Sequence, residues 1–284
     1  MLLVRDQLSE APDIVTQLSA EPFAAVRQVI LKKLWLEFEC LNAPASKENT
    51  MSTKTALVTG GVRGIGLAIA ETLLTRAMNV VVVTHDAKGT PSTLAKEVEI
   101  VELDLSVLSN VEELVQRKPN IDVLVNNAGH MNGFGLDQYD DVRRNHIFNL
   151  NLIAPVHLMW RYGNLMAGKG GGRIVNNTSI AAHIGHPDTW YGVTKSGLLN
   201  ATKSLARALG PKGIVVNAVA AGPTDTDMLL KIPEARKAAM KSASILGRFA
   251  NAEEVAGAVA WLALDAPAYI NGICIDVNNG SFMR

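Results

Sequence analysis

A tyrosine and a lysine four residues apart, Tyr191 and Lys195, have the side chains and the spacing for acid–base chemistry. On a helix this spacing places both side chains on one face, and an ammonium group beside a phenol favours the phenolate. Ser179 stands twelve residues before Tyr191, after the apolar stretch 173–175. We therefore predict a site where a hydroxyl donor, a phenolic acid and a cation meet. For the pair taken alone, a surface tyrosine packed beside a lysine is the alternative interpretation.

A glycine-rich segment, residues 60–66, opens the part of the sequence that should position this site. The apolar run Thr55–Thr59 before it predicts a strand, and residues 67–76 after it predict a helix. Strand, glycine turn and helix form the arrangement that binds dinucleotides, because glycines let the backbone approach the pyrophosphate and the helix N-terminus attracts it. A purely structural turn is the alternative for a glycine cluster considered alone.

Further apolar runs predict the strands of a parallel sheet, at residues 80–84, 100–105, 121–125 and 271–277. The stretch between the second and third strands, residues 86–99, is short for a full helix. Residues 126–129 follow the fourth strand with small and polar side chains, which a closely approaching cofactor requires.

Taken in order, these motifs resemble a classical short-chain dehydrogenase/reductase over residues 53–284. Residues 59–66 match the cofactor motif of that family and residues 126–129 match its Asn-Asn-Ala-Gly element. The four active-site positions of the family are matched by Asn151, Ser179, Tyr191 and Lys195. The resemblance implies an α/β, doubly wound (Rossmann) fold with a seven-stranded, mainly parallel sheet. It also implies reversible hydride transfer between a nicotinamide dinucleotide and a carbonyl or secondary alcohol, and 3-oxoacyl-thioester reductases are the commonest relatives.

The roles of the family's residues carry over to the matching positions. Tyr191 would be the general acid or base, Lys195 would lower its pKa and hold the nicotinamide ribose, and Ser179 would hydrogen-bond the substrate oxygen. Asn151 would hold a water that links Lys195 to solvent. The residues that the resemblance assigns to cofactor binding are Gly60, Arg63, Gly64, Ile65, Gly66, Thr84, His85, Asp104, Leu105, Asn126, Ala128, Gly129, Tyr191, Lys195, Gly222, Thr224 and Thr226.

Charge near the adenosine ribose predicts NADP(H) as the cofactor. Arg63 stands inside the glycine turn, where a basic residue of this family reaches towards a 2′-phosphate. An acidic residue at the end of the second strand would take the ribose hydroxyls and disfavour that phosphate. Thr84 and His85 occupy this position instead. NAD(H) stays open as the alternative, since Asp86 is one place further on.

Composition and targeting features exclude several classes of partner. Lysine plus arginine (27) equals aspartate plus glutamate (27), so a nucleic-acid partner is not expected. No stretch reaches the ~20 apolar residues of a membrane helix, so we expect no membrane partner and a cytoplasmic protein. Cys40 and Cys274 match no metal-ligand spacing and no histidine cluster does, so we predict a reducing compartment and no metal.

Residues 1–50 differ from the rest and form a predicted N-terminal helical appendage with a linker at 42–49. Its apolar residues recur at helical spacing: Phe23, Val26, Ile30, Leu34, Phe38 and Leu41. Met51 resembles a fresh start of a protein, so the second domain is predicted at residues 51–284. Residues 1–50 are either a real appendage that packs on the core or on a partner, or upstream sequence translated ahead of Met51.

Partners and alternative functions follow from the same resemblance. Family members usually pair through the helices after Asn151 and Tyr191, so a homodimer or homotetramer acting on a small-molecule substrate is expected. An NAD-dependent alcohol dehydrogenase of the same family, a dinucleotide sensor without turnover, and an assembly role for residues 1–50 are the alternatives. His183 and His186 are candidates for substrate contacts or ordinary loop histidines, and residues 228–244 resemble the family's mobile substrate lid.

Overall fold

Seven strands form one sheet in the order β3-β2-β1-β4-β5-β6-β7, and every pair of neighbours is parallel. The structure is a computed structural model that describes residues 53–133 and 135–284. The strands are β1 (Thr55–Thr59), β2 (Asn79–Thr84), β3 (Glu99–Glu102), β4 (Val123–Asn126), β5 (Gly172–Asn177), β6 (Ile214–Ala221) and β7 (Cys274–Val277). The predicted doubly wound α/β sheet is confirmed, with all of these strands parallel.

Helices connect successive strands and cover the sheet. They are α1 (Gly64–Thr75), α2 (Leu94–Glu97), α3 (Ser109–Arg117), α4 (Asp141–Phe148), α5 (Ala154–Ala167), α6 (Thr189–Leu209), α7 (Glu234–Ser242) and α8 (Ala252–Ala260). Short 3₁₀ turns occur at Leu136–Gln138, Ile180–Ala182, Gly210–Lys212 and Asp227–Lys231, and π turns occur at Asn149–Ile153 and Trp261–Asp265. The one-turn helix α2 agrees with the short segment predicted between the second and third strands.

Alternating side chains of the buried strands build two separate cores, because successive residues of a strand point to opposite faces of the sheet. In β1, Ala56 and Val58 pack on the face that α1 and α8 cover. Leu57, between them, packs on the face that α3, α5 and α6 cover. Burial on both faces explains why the strands read as continuous apolar runs rather than as alternating ones.

Two predicted strand bounds are wrong by three residues for identifiable reasons, and β4 begins at Val123 rather than at residue 121. The third strand ends at Glu102 rather than at residue 105, because Asp104 Oδ1 accepts the Ser106 N–H at 2.8 Å and turns the backbone. The last strand begins at Cys274 rather than at residue 271. The Asn271 side chain accepts the Val216 N–H at 2.8 Å, and Gly272 has a φ of +77° that an extended strand does not allow.

The order of strands fixes where a ligand can bind. β1 lies between β2 and β4, so the chain winds in opposite directions on the two sides of β1. In open α/β sheets, ligands bind in the crevice outside the carboxyl ends of the strands at this switch point. Within residues 53–284, apart from 134, no helix is long and apolar enough to cross a membrane. The predicted helix and linker of residues 1–50 lie outside the described residues.

Candidate active site

The turn between β1 and α1 has a backbone that only glycine adopts readily. Gly60 and Gly64 have φ values of +68° and +53°, in the left-handed region. At Gly66 a Cβ would lie 2.0 Å from the Gly60 carbonyl oxygen, so the helix can approach the turn only without a side chain there. Arg63, the N-cap of α1, makes no side-chain cap and the first turn holds no acidic residue. The geometry suits a pyrophosphate.

Replacing Gly66 with alanine is expected to weaken dinucleotide binding by about 5- to 150-fold, which corresponds to the ~1–3 kcal/mol that overpacking costs. The new methyl group would overlap Gly60 O, and the backbone of the turn would have to shift. Titration of NADP(H) by fluorescence and a thermal melt measure the effect. Gly257→Ala is the matched control, since nothing lies within 4 Å of a Cβ at this helical glycine. Wild-type affinity in a folded Gly66→Ala protein would contradict the prediction.

Polar side chains fasten the end of β4 to this turn. Thr59 Oγ1 accepts the backbone N–H groups of Asn127 and Ala128, both at 3.0 Å. The Asn127 amide donates to the carbonyls of Thr59 and Gly60 at 3.1 and 3.2 Å, and Asn177 donates to Asn127 Oδ1 at 2.9 Å. The ends of β1, β4 and β5 therefore form one rigid floor for a ligand.

The structure distinguishes the two asparagines of the Asn-Asn-Ala-Gly segment. Asn126 is buried and donates to Asn176 Oδ1 at 2.8 Å, so its side chain braces β4 against β5. Asn127, which was not predicted as a site residue, is the one that holds the glycine turn. The Asn-Asn pair in the sequence could have indicated a role for Asn127. Which of the two side chains reaches the glycine turn depends on the position of β4 in the sheet.

Helix α6 carries Tyr191 and Lys195 in its first two turns, and both side chains are buried. Lys195 Nζ donates to the Asn177 carbonyl at 2.9 Å and lies 5.8 Å from the centroid of the Tyr191 ring. Ser179 caps the turn Ile180–Ala182 by accepting the Ala181 N–H at 3.2 Å, and its hydroxyl lies close enough to Tyr191 to oppose the rise in the pKa of the phenol. The predicted meeting of hydroxyl, phenol and ammonium therefore exists.

Burial governs the protonation of these groups in the ligand-free protein. It raises the pKa of Tyr191, against the opposing effect of the Ser179 hydrogen bond, and it lowers the pKa of Lys195 to about 8. The direction for Tyr191 is opposite to the one expected from a neighbouring ammonium. The physical reason is that the phenol is 8% exposed and that Lys195 Nζ donates to Asn177 O.

Asn151 lies in the π turn Asn149–Ile153 and is fully buried. Its Oδ1 accepts the His130 N–H at 2.8 Å, and its Nδ2 donates to the His130 carbonyl at 2.8 Å and to Thr194 Oγ1 at 3.2 Å. A Cβ on Gly129 would lie 3.4 Å from Lys195 Nζ and 3.5 Å from Asn151 Oδ1. Asn151 and Lys195 thus flank Gly129, and all four predicted catalytic residues lie together.

Asp188 is a site residue that sequence reasoning missed. Its carboxylate is fully buried and accepts hydrogen bonds from the Tyr139 hydroxyl at 2.7 Å and from the N–H groups of Asn132 and Gly133 at 3.0 Å. It also caps α6 by accepting the Tyr191 N–H at 3.1 Å. An aspartate just before a helix is an ordinary N-cap signal, so this capping role was predictable, whereas the contacts to residues 132–139 were not.

The adenosine side of the crevice holds the residues that were predicted to choose the cofactor. Thr84 is buried and its hydroxyl donates to the Asp86 carbonyl at 2.8 Å. Asp86 Oδ1 accepts the Lys88 N–H at 2.8 Å, which holds this carboxylate in a local turn. Arg63 and His85 are exposed. Next along the edge, Asp104 binds the Ser106 N–H and Leu105 is buried.

The segment after β6 lies over the same crevice. A Cβ on Gly222 would lie 2.8 Å from Asn278 Cα, and Thr224 donates to the Gly222 carbonyl at 3.0 Å. A Cβ on Gly64 would lie 3.2 Å from Thr226 Cγ2, so Thr226 covers the glycine turn. Ile65 and Ala128, also predicted to bind cofactor, are half-buried at the same edge.

The predicted lid packs over the tyrosine. Leu229 and Ile232 share one apolar cluster with Tyr191, and Trp190 packs at its edge against Phe148 with ring centroids 5.5 Å apart. The His186 ring lies 5.1 Å from the Tyr191 ring, and Arg236 of α7 approaches His186 Nε2 at 3.5 Å. The lid and the His186 loop therefore meet beside Tyr191, where substrate is expected to reach the phenol.

Comparison with known proteins places this arrangement in a family. A family model described as enoyl-(acyl carrier protein) reductase matches residues 60–281. The chain belongs to the short-chain dehydrogenase/reductase family, and it is an NAD(P)-dependent oxidoreductase that acts on CH–OH or carbonyl groups.

Individual relatives agree with this assignment. The chain is 35% identical to the 3-oxoacyl-[acyl-carrier-protein] reductase FabG of Haemophilus influenzae over 82% of this chain and 100% of that protein. It is 34% identical to the FabG of Escherichia coli over 81% and 98%. A candidate NAD(P) dependent gluconate 5-dehydrogenase from Beutenbergia cavernae, solved with NADP at low occupancy, has a TM-score of 0.75 and 30% identity, with 81% of this chain and 97% of that chain covered.

Proposed function

We propose that the protein reduces the keto group of a 3-oxoacyl thioester with NADP(H), and that Tyr191 is the general acid. The observation that carries the proposal is the cluster of the buried residues Tyr191, Lys195 and Asn151 with the half-buried Ser179, close to the glycine turn. The FabG relatives, whose name is 3-oxoacyl-[acyl-carrier-protein] reductase, support this substrate class. In the reverse direction the same site would oxidise a secondary alcohol.

Each of the four side chains has a distinct task in the proposed reaction. A bound nicotinamide dinucleotide supplies the hydride. The Ser179 hydroxyl donates to the substrate oxygen and orients it towards Tyr191. Tyr191 then gives its phenolic proton to that oxygen as negative charge develops there. The Ser179 hydroxyl lies close enough to Tyr191 to affect the pKa of the phenol, so the two groups that receive the substrate oxygen are neighbours.

Lys195 and Asn151 act behind the tyrosine. Lys195 has its amine fixed by the Asn177 carbonyl at 2.9 Å, so it stands ready to hold the nicotinamide ribose and to favour the phenolate after proton transfer. Asn151 holds the His130 backbone with both ends of its amide. This keeps open the path beside Gly129 by which a water links Lys195 to solvent.

The preference for NADP(H) rests on the adenosine side of the crevice and on the NADP-bound relative. Arg63 is exposed at the glycine turn, where it can donate charge-assisted hydrogen bonds to a 2′-phosphate. The carboxylate that would oppose the phosphate is absent from the strand end. Asp86, the open alternative, is engaged with the Lys88 amide.

Arg63→Ala is expected to weaken NADP(H) binding by about 10- to 100-fold, because a hydrogen bond to a charged group contributes ~1.5–3 kcal/mol. Binding of NAD(H), which lacks the phosphate, should change little. Isothermal titration of both cofactors against wild type and variant measures the difference. Arg117→Ala is the control, since this arginine pairs with Glu113 on α3. Tighter binding of NAD than of NADP by the wild type would overturn the assignment.

A turnover assay tests the proposed reaction itself. NADPH oxidation is followed with a 3-oxoacyl thioester, a simple ketone and an enoyl thioester, the last because of the description of the matching family model. The proposal expects the 3-oxoacyl thioester to give the highest kcat/KM. It is overturned if the enoyl thioester is the preferred substrate, or if the folded protein binds NADPH and turns over none of the three.

A second candidate substrate class is a hydroxy acid. Arg236 approaches His186, whose ring lies against Tyr191, so a cation faces the substrate entrance. A carboxylate on the substrate would be attracted to this position, and the gluconate 5-dehydrogenase candidate is a relative of this kind. Including gluconate with NADP in the panel separates the two classes.

We also propose that the protein pairs through α5 and α6. Trp160 and Leu165 on α5 and Val193 on α6 are exposed apolar side chains, with 47%, 38% and 43% of their surface accessible. Burial of such side chains against a second copy is the usual source of a stable interface.

A further inference from the structure

Three potential metal ligands converge near the carboxyl end of β7. Cys274 and Asp276 are two residues apart on this strand, so their side chains point to the same face. His183 reaches them from the segment that follows the turn Ile180–Ala182. One donor atom from each residue lies within 4.8 Å of the other two. Among the described residues, this is the one such group of three.

Two of the three potential metal-ligand atoms have no hydrogen-bond partner among the described residues. His183 Nε2 and Asp276 Oδ1 are both buried and have no hydrogen-bond partner within the described part of the chain. They face each other at 3.6 Å, which is too long for a hydrogen bond. Unpaired buried polar atoms are costly and uncommon, and a bound ion can satisfy them. Two ligands of a tetrahedral zinc stand about 3.3 Å apart, given bonds of ~2.0–2.1 Å.

Neighbouring groups already hold these ligands in position. Arg284 donates to Asp276 Oδ2 at 2.8 Å and to the Cys274 carbonyl at 2.8 Å, so Oδ1 alone is left towards the cluster. The His183 ring stacks on Phe282 with centroids 5.2 Å apart and planes inclined by 9°. Hydrogen bonds to the second oxygen of a ligating carboxylate are a regular feature of metal sites.

The arginine also limits what the site can bind. The positive charge of Arg284 repels a divalent cation. The Asp276 carboxylate and a Cys274 thiolate are the anions of the site that would offset this repulsion. A donor set of imidazole, thiolate and carboxylate suits zinc, whereas magnesium and calcium require oxygen donors. The ligand atoms lie within 4.8 Å of one another. Side-chain rotations that move them by about 1 Å bring even the most distant two to the separation that ligands of a tetrahedral zinc have.

We propose that His183, Cys274 and Asp276 form a zinc site that ties the segment after Ser179 to β7, with the fourth position left to water. None of the three ligands belongs to the proposed catalytic or cofactor-binding residues, although His183 follows the turn that Ser179 caps. A metal here would fix the segment that begins with the Ser179 cap, and it would raise the stability of the protein by an amount that grows with the logarithm of the zinc concentration above Kd.

Metal analysis after equilibrium dialysis tests the proposal with the full chain in a Cys40→Ser background, so that Cys274 is its remaining thiol. At micromolar zinc the protein should bind one zinc per chain and melt several degrees higher than with EDTA. Cobalt in place of zinc should give a thiolate charge-transfer band. His183→Gln and Cys274→Ser should each weaken zinc binding by more than the ~10-fold that loss of an outer partner produces.

His157→Ala is the matched control, because this histidine lies on α5 and belongs to no cluster of ligands among the described residues. It should retain full zinc binding and the cobalt band. The proposal is overturned if the wild type binds no zinc, or if both ligand variants retain its affinity. Binding of zinc without a thiolate band would also overturn it, since the metal would then be held elsewhere. A melting temperature that rises with zinc equally in all variants leads to the same conclusion.

Discussion

Tyr191→Phe is expected to lower turnover by ~100- to 10,000-fold, the usual contribution of a positioned general acid. The variant deletes the phenolic oxygen and keeps the ring, which packs with Leu229, Ile232 and His186. Folding should therefore be preserved, and cofactor affinity should stay within about 3-fold of wild type because Lys195 remains. Single-turnover absorbance of NADPH measures the chemical step, and a fluorescence titration measures cofactor binding.

The matched control is Tyr162→Phe. Tyr162 is also a buried tyrosine on a long helix, but its hydroxyl makes one weak contact, 3.4 Å to the Leu114 carbonyl. This variant should retain wild-type kcat/KM. Full activity in Tyr191→Phe would remove Tyr191 from the mechanism, while equal losses in both variants would attribute the effect to folding. Neither result is compatible with Tyr191 as the general acid.

Removal of the Asp188 carboxylate is the second change with a large expected effect. Asp188→Ala removes the acceptor of four hydrogen bonds, which come from the Tyr139 hydroxyl and from the N–H groups of Asn132, Gly133 and Tyr191. A donor left unsatisfied in the interior costs ~1–3 kcal/mol, and water that reaches the exposed Gly133 and the half-buried Asn132 and Tyr139 offsets part of this sum. We expect the free energy of unfolding to fall by about 3–5 kcal/mol, with a melting temperature lower by ~10 °C.

Asp140→Ala separates this effect from ordinary helix capping. Asp140 caps α4 through the Arg143 N–H at 2.8 Å, but it is exposed, so its loss should cost about 1 kcal/mol. Asp188→Asn keeps one acceptor oxygen and should lie between the two alanine variants. Urea unfolding of all three proteins measures the differences. If Asp188→Ala lowers the free energy of unfolding no more than Asp140→Ala does, the Asp188 carboxylate acts only as a helix cap. Its hydrogen bonds to residues 132–139 then contribute nothing to stability.

The prediction succeeded where local spacing determines position. Tyr191 and Lys195 share a face because both are on one helix, and Ser179 reaches them because it follows a parallel strand that ends at the same edge. The glycine turn was predictable because its backbone excludes other residues. These features need only the periodicities of helix and strand.

The prediction was incomplete where long-range packing decides. Asp188 contacts residues 132 and 139, about 50 positions earlier in the chain, and no spacing rule connects them. The raised pKa of Tyr191 reflects burial by the lid and the loops, which the tyrosine–lysine pair alone does not reveal. His183 and Asp276 are likewise 93 positions apart, so their meeting depends on the order of strands.

The lid cluster over Tyr191 has a kinetic consequence. With Leu229 and Ile232 packed in one apolar cluster with the tyrosine, which is 8% exposed, substrate reaches the phenol only when these side chains move aside. Apparent substrate affinity then equals the intrinsic affinity multiplied by the fraction of molecules that are open. Long acyl chains that replace the lid's own apolar contacts would recover this loss, whereas short ketones would not. Selectivity for long acyl chains can thus arise from the packing of the lid on Tyr191, and it does not require a pocket that fits a particular chain length.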